Sequence, residues 1–531
     1  MSTRDLGPSD GVYLIGAPHQ SQPGEDATPQ TMGFKAFNLL RMANAGLNVP
    51  PALVLGTQWC ANKGAPETVW RAALGRLESI CGLRLGDARR PLFLSVRSGA
   101  PVSMPGMMET LLNIGVCDAT LGGLLGATGN PRLVWDAYRR LVATYGEVVD
   151  QIPAQSFDEI LQSVCGGRSD RDLDFAELRE VTRRSLDLYA KLCGRPFPQD
   201  PSQQLSGAIS AVFHSWQSEK ARAYREMHRI DESIGTAVTI QQMVFGNAGG
   251  QSGAGVGFTR DPVSGDRRLW VDFLFNAQGE DVVSGRRSAH GHEELATVMP
   301  DVWHQLQTNV GILERTFGDM QDIEFTVQDG RLFMLQTRNG KRSPIAAVRI
   351  AFDMKTEGLI AGDLAKERVD GISVEKLVRT ELVADTGQCA QVLARGSSAN
   401  GGVATGRIAL NEAQAASFAN AGDQVILVRR DAETGDLSAL AQADALVTQH
   451  GARTSHAAVV ARQMAKVCVV GCEDLLVDES SQSVTVGDVV LAPGDVLTID
   501  GNAGEIYQGV VKSEAVCPPD VAMQLALLQA G

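Results

Sequence analysis

Residues 450–472 read HGARTSHAAVVARQMAKVCVVGC. Thr454 or Ser455 is a suitable N-cap for the apolar-periodic run that follows, because a hydroxyl there can accept from the free amides of the first turn. The resulting helix carries His456 in its opening turn. Free N–H groups and the positive end of the helix dipole favour an anion at that point, so a phosphoryl group placed on the imidazole would be stabilised. Neutral imidazole is also a competent nucleophile near neutral pH. A histidine at a helix start can equally cap or pack, and the local pattern leaves both readings open. The apolar KVCVVGC that follows reads as a buried strand, so Cys468 and Cys472 are expected to be core thiols rather than zinc ligands.

The flanking sequence extends this α/β pattern. ATGRIAL, QVILVRR, DALVTQ, VCVVG and VLTIDGNAGEIY are short strands around the one strong helix, so residues 393–531 are expected to form a separate domain. Its edge is the Gly/Ser/Ala-rich LARGSSANGGVATG. Residues 343–392 are helix-like and charged, a helical linker. Residues 1–342 contain strand-like runs such as LFLSVRSG, TAVTIQQMVFG, GAGVGFTRDP and RLWVDFLFN. Long 3.6-period stretches, PRLVWDAYRRLVATYGEVVDQI among them, interrupt these at about 118–232 and predict a helical insertion.

The bulk numbers narrow the function. A chain of 531 residues, 44% apolar and 21% charged, is globular and too long for one core. A net charge of −14 repels polyanions, so nucleic acid is an unexpected partner and any phosphate needs a local basic pocket. The nine cysteines show no C-x-x-C pair, which fits reduced thiols in a cytoplasm. No targeting segment is visible at MSTRDLGPSDGVYLIG, and no apolar run approaches the roughly 20 residues that span a bilayer.

Phosphoryl transfer from a nucleotide needs cations on the phosphates, carboxylates for Mg²⁺ and exclusion of water. LFLSVRSGAPVSMPGMMETLLNIG (92–115) offers Arg97 at a strand end and a Ser103–Gly106 loop whose backbone could approach phosphate oxygens. An ordinary surface loop with an arginine reads the same. In QDIEFTVQDGRLFMLQTRNGKR (321–342), Asp322 and Glu324 lie two apart on a strand and share a face, as a Mg²⁺ pair requires. Gln336 and Arg338 are likewise two apart on the return strand. A two-residue Asp–Gly turn in an ideal hairpin would set Asp322 opposite Thr337 and send the two couples to opposite faces. A three-residue loop, Gln328–Asp329–Gly330 with Gly330 left-handed as a G1 bulge, brings all four to one face, and that bulge is the expectation. The solvated face of a plain hairpin is the alternative.

TSHAAVVAR after VTQHGA, preceded by GGVATGRIAL and followed by GDVLTIDGNAGEIYQG, resembles the phosphohistidine domain of the pyruvate phosphate dikinase family. SVRSGA, SMPGMMET, QMVFGN, SGAGVGFTRDPVSG, NAQGEDVVSG and MQDIEF with MLQTRNGKR resemble its ATP-grasp domain, in the same order and over nearly the whole chain. The resemblance implies an α/β (α+β multidomain) fold: an ATP-grasp domain with a helical insertion, then a swivelling β/β/α-type phosphohistidine domain. It makes His456 the phosphoryl carrier and maps Thr454 onto a position regulated by phosphorylation in some members. Lys35, Arg97 and the loop residue Ser103 would hold phosphates, the segment with Met243 and Val244 would line the adenine pocket, and Glu280 would hold the ribose. Asp322 and Glu324 would bind Mg²⁺, with Gln336 and Arg338 at the transferring phosphoryl. The implied half-reaction takes ATP and orthophosphate to AMP and pyrophosphate. Ala452 and Gln463 stand where the family commonly has glycines. The family continues into a (β/α)₈ barrel not seen here, so the acceptor is expected on a separate phosphoenolpyruvate- or pyruvate-binding subunit. A truncated enzyme, a kinase with another acceptor, and a non-catalytic ATP-sensing phosphocarrier are the alternatives.

Overall fold

The computed structural model describes residues 10–16, 26–61, 64–102, 104, 108–283, 292–383, 391–431, 436–451, 453, 455–478 and 481–530. The chain divides into two units, residues 1–249 with 333–337, and residues 250–332 with 338–531.

In the first unit, β1 (Val12–Ile15), β2 (Ala52–Leu55), β3 (Leu94–Gly99), β4 (Thr110–Ile114) and β5 (Ala237–Gln242) form a sheet in the order β1-β2-β5-β3-β4. Every neighbouring pair is antiparallel. β2 reads ALVL and is buried throughout, as expected of a strand covered on both faces. Helix α1 (Phe34–Asn44) lies between β1 and β2, and helices from Leu121–Thr128 to Glu219–His228 occupy the connection from β4 to β5. Helix Pro131–Asp150 shows why they form. Leu133, Val134, Ala137, Tyr138, Leu141, Val142 and Tyr145 make one buried stripe, and the Asn130 side chain caps the first turn by accepting from the Leu133 N–H. Leu53, Leu94 and Ile240 of the sheet share a core with Tyr138, Ile209 and Phe213 of these helices. The insertion therefore packs into the core of this sheet.

In the second unit, β6 (Gly253–Phe258), β7 (Trp270–Phe275) and β8 (Gln321–Gln328) belong to a sheet of order β7-β6-β8-β9, in which β9 (Arg331–Asn339) has residues 333–337 counted with the first unit. Small residues on β6 make room for rings on its neighbours: a Cβ on Gly255 would come within 2.4 Å of the Phe325 ring. Helices α2 (Pro344–Thr356) and α3 (Gly362–Arg368) share a core with Phe258, Trp270 and Met320. Residues expected to be a linker thus form a layer against this sheet. Two buried ion networks fasten it. Arg260, fully buried, donates to Glu314 and to Glu357, both at 2.9 Å. Asp319 accepts from Arg342 at 2.6 Å and Arg368 at 3.1 Å.

The chain then passes through β10 (Arg379–Leu382) into β11 (Val392–Arg395), β12 (Ser397–Asn400), β13 (Val403–Ala409), β14 (Val425–Arg429), β15 (Ala445–Thr448), β16 (Val467–Val470), the small meander β17 (Leu475–Asp478), β18 (Ser483–Val486) and β19 (Val489–Leu491), then β20 (Val496–Asp500) and β21 (Glu505–Gln508). Eight of these make a sheet of order β11-β21-β20-β13-β14-β15-β16-β12, parallel across β13-β14-β15-β16. Helix α4 (His456–Gln463) is the crossover between β15 and β16. β22 (Ser513–Val516) returns to pair with β10, and α5 (Pro519–Ala530) buries Val521, Leu525 and Leu528 in the core built by α2 and α3. The last helix, which the sequence groups with residues 393–531, therefore packs outside the eight-stranded sheet. Cys468 and Cys472 are buried in its strands and loops, and burial pushes both thiols up to about 12. No helix among the described residues is long and apolar enough to cross a membrane.

Candidate functional site

The hairpin of β8 and β9 turns through Asp329 at φ 50° and Gly330 at φ 74°, both left-handed, between Gln328 and Arg331. This is the tight two-residue turn that an Asp–Gly pair favours. It corrects the expected three-residue loop with a bulge at Gly330. At the open end, however, Arg338 Nε donates to Asp322 Oδ2 at 2.6 Å, Gln321 Nε2 to Asn339 Oδ1 at 3.0 Å, and the Gly340 N–H to Met320 O at 3.0 Å. Six steps along β8, from Gln328 to Asp322, are matched by seven along β9, from Arg331 to Arg338. β9 therefore holds one extra residue, a bulge in the return strand. Its burial pattern changes parity accordingly: Leu332 and Met334 are buried, then Thr337. Asp322 and Glu324 alternate with buried Gln321, Ile323 and Phe325 on β8, so they share the half-open face that Arg338 also meets.

Two carboxylates here share one arginine. Burial pushes the Asp322 carboxyl above the usual carboxylate range, with Glu324 adding to the push and Arg338 opposing it. The Arg338 guanidinium loses by burial, but Asp322 and Glu324 outweigh that loss and raise it above its ordinary value. The cluster presents hard carboxylate oxygen donors on one face, which fits Mg²⁺.

In the same unit, α4 starts at His456, and the Ser455 side chain accepts from the Ala458 N–H at 3.3 Å. Ser455 is thus the cap. Ser103 and Thr454 lie outside the described residues, and for His456 the backbone alone is described. Two arginines that the sequence reading passed over bracket the histidine: Arg453 lies with its Cζ 4.6 Å from the Trp270 ring centroid, and Arg462 with its Cζ 5.5 Å from that of Phe258. The charge of Arg462 is felt at Asp322. The start of α4 is therefore held against the sheet that carries Asp322 and Arg338.

In the first unit, Gly33 caps α1 at φ 77°, and a Cβ there would lie 1.8 Å from the Gly99 carbonyl oxygen. The Phe34 N–H donates to Ala100 O at 3.0 Å. This close approach sets the first turn of α1, with exposed Lys35, against the end of β3, which carries half-buried Arg97. Met243 follows β5, its N–H donating to Phe93 O at 2.9 Å, and half-buried Val244 comes next. Gln336, half-buried on β9, groups with this unit. Glu280 is exposed in the first turn of helix Gly279–Val283 of the second unit.

Residues 58–294 and 291–359 match the family described as "Pyruvate phosphate dikinase, AMP/ATP-binding domain". The chain belongs to the pyruvate phosphate dikinase family. Residues 421–504 match a second description, "PEP-utilising enzyme, mobile domain". Among dikinase relatives, "Pyruvate, phosphate dikinase 1, chloroplastic" of Arabidopsis thaliana is 40% identical over 513 residues, covering 94% of this chain and 53% of that protein. "Pyruvate, phosphate dikinase" of Rhizobium meliloti (strain 1021) is 40% identical over 524 residues, covering 94% of this chain and 58% of the relative. The chain spans about half the length of the curated dikinases it matches. These are phosphotransferases with an ATP-binding and a phosphoenolpyruvate-utilising module, and both modules are matched here.

Proposed function

We propose that this chain carries out the ATP-driven half of a dikinase reaction, phosphorylating its own His456 and passing the group to an acceptor held elsewhere. The observation that supports this most is the seating of the start of α4, within one unit, on the sheet bearing Asp322, Glu324 and Arg338. In this reading Lys35, Arg97 and Ser103 hold phosphates, Met243 and Val244 line the adenine pocket, and Glu280 meets the ribose. Gln336 and Arg338 meet the transferring phosphoryl, and Arg338 exchanges its Asp322 partner for phosphate oxygens. Asp322 and Glu324 would hold Mg²⁺, which supplies charge neutralisation on the phosphates when bound. The imidazole of His456 attacks in line, and the helix start stabilises the phosphoryl it receives.

Orthophosphate is the second substrate of this half-reaction, and AMP and pyrophosphate its products. The acceptor is pyruvate or a similar small acid, reached when the eight-stranded domain swings away. The scattered cysteines and the net charge of −14 support a cytoplasmic location in this reading, and Thr454 would be a site for regulatory phosphorylation. The test is incubation with Mg²⁺ and ATP labelled at either the β or the γ phosphorus, with and without orthophosphate, on wild type and His456→Ala. Acid-labile label from the β position that His456→Ala abolishes is the expected result. A wild-type chain that takes up no label under any of these conditions refutes the reading.

A further inference from the structure

Phe258 and Trp270 stand directly opposite each other on β6 and β7, with ring centroids 5.4 Å apart, and form one aromatic platform. Two guanidinium groups of the phosphohistidine domain lie over it, Arg453 on Trp270 and Arg462 on Phe258. They are tied together from behind. Arg462 donates through Nε and Nη2 to Ala399 O, at 3.0 and 2.8 Å, and through Nη2 to the carbonyl of Arg453 at 3.4 Å. Arg453 and Arg462 thus lie on either side of the start of α4, where His456 stands. Burial lowers the Arg453 guanidinium from its ordinary value; Asp272 and Asp261 oppose this and Arg268 adds to it.

We propose that Arg453 and Arg462, stacked on the Trp270–Phe258 platform, form a latch that seats the start of α4 on the four-stranded sheet for transfer from ATP to His456. Arg453 is a positioning residue in it, and the inference rests on the autophosphorylation reading above. A contact that only stabilised the fold would be served better by an apolar side chain, which carries no desolvation cost. A guanidinium instead stacks on an aromatic face when docked and is readily hydrated when released, which suits a contact that must open in each cycle.

The experiment compares wild type, Arg453→Met and Arg453→Lys in single-turnover phosphorylation of His456 and in ATP binding. Loss of one stacked cation should slow transfer in Arg453→Met about ten-fold, with the dissociation constant for ATP unchanged because the side chain belongs to the carrier and not to the nucleotide pocket. Arg453→Lys, which keeps the charge and loses the planar stack, should recover part of the rate. Equal rates in wild type and Arg453→Met overturn the latch, and so does a slowed Arg453→Met that Arg453→Lys does not partly rescue. Small-angle scattering of the same chains reads docking without any chemistry: Arg453→Met should have the larger radius of gyration, and identical profiles also overturn the latch. If the wild type takes up no label, the autophosphorylation reading fails and the scattering comparison decides the latch alone.

Discussion

Consider Asp319→Asn, at the foot of the hairpin that carries Asp322 and Arg338. The Asp319 side chain is 4% exposed, and its two oxygens accept from Arg342 at 2.6 and 2.9 Å and from Arg368 at 3.1 Å. Asparagine keeps the shape but removes the charge, and its NH₂ must face a guanidinium N–H. Two arginines, 15% and 14% exposed, are then left without this counter-ion. Removing one partner of a buried pair costs about 3–5 kcal/mol, and the partial exposure of both arginines argues for the lower end, about 3 kcal/mol. For a unit of this size that is a fall of about 6–12 °C in unfolding temperature. Differential scanning calorimetry should show it in the transition of the second unit. The triple variant Asp319→Leu with Arg342→Met and Arg368→Met should recover much of the loss, because it removes the carboxylate together with both of its arginines. A shift below about 1 °C in Asp319→Asn would refute the claim that this network holds the foot of the hairpin.

Arg338→Ala should abolish labelling of His456 while the chain still unfolds cooperatively in calorimetry; unchanged labelling removes Arg338 from the mechanism. Glu324→Gln should raise the Mg²⁺ concentration needed for half-maximal labelling by about ten-fold, since one of the two carboxylates proposed to hold Mg²⁺ is lost; an unaltered Mg²⁺ titration argues against the pair. Gly33→Ala forces a left-handed residue and a backbone clash at 1.8 Å, so it should weaken ATP binding through the displaced first turn of α1. Equilibrium dialysis reads this, and wild-type affinity would show that the approach of α1 to β3 is irrelevant to the nucleotide. Cys468 and Cys472, whose thiols burial pushes up to about 12, should react with a thiol reagent at neutral pH only after denaturation; rapid native modification of either would contradict the packing.

Much of the second unit was legible because its elements obey simple periods. Strand alternation in QDIEFTVQ alone puts Asp322 and Glu324 on one face, and a hydroxyl before an apolar-periodic run marks the start of α4. The bulge was legible in its necessity but not in its place. Four polar side chains could share a face only if one residue were added. The Asp–Gly turn looked the natural host, yet it folded tightly and the extra residue went into β9, whose sequence carries no glycine between Arg331 and Arg338 to advertise it. Tertiary partners were not legible at all. Arg453 and Trp270 are far apart in sequence, and neither has a local pattern that names the other. The same holds for α5, whose apolar residues fit any core and join that of α2 and α3.

The pairing of β10 with β22, Arg379 opposite Val516 through Leu382 opposite Ser513, sets the two ends of the domain built on the eight-stranded sheet side by side. The domain is therefore an insertion hung from a two-stranded strap. A strap permits bending and twisting about its own axis but resists free rotation, so any excursion of His456 follows an arc rather than filling a sphere. Adjacent ends also mean that the domain can be cut out and its host closed by a short turn joining Leu382 to Ser513. That leaves α5 attached to its own core, and it makes the eight-stranded domain a part that could be exchanged without rebuilding the core of α2 and α3.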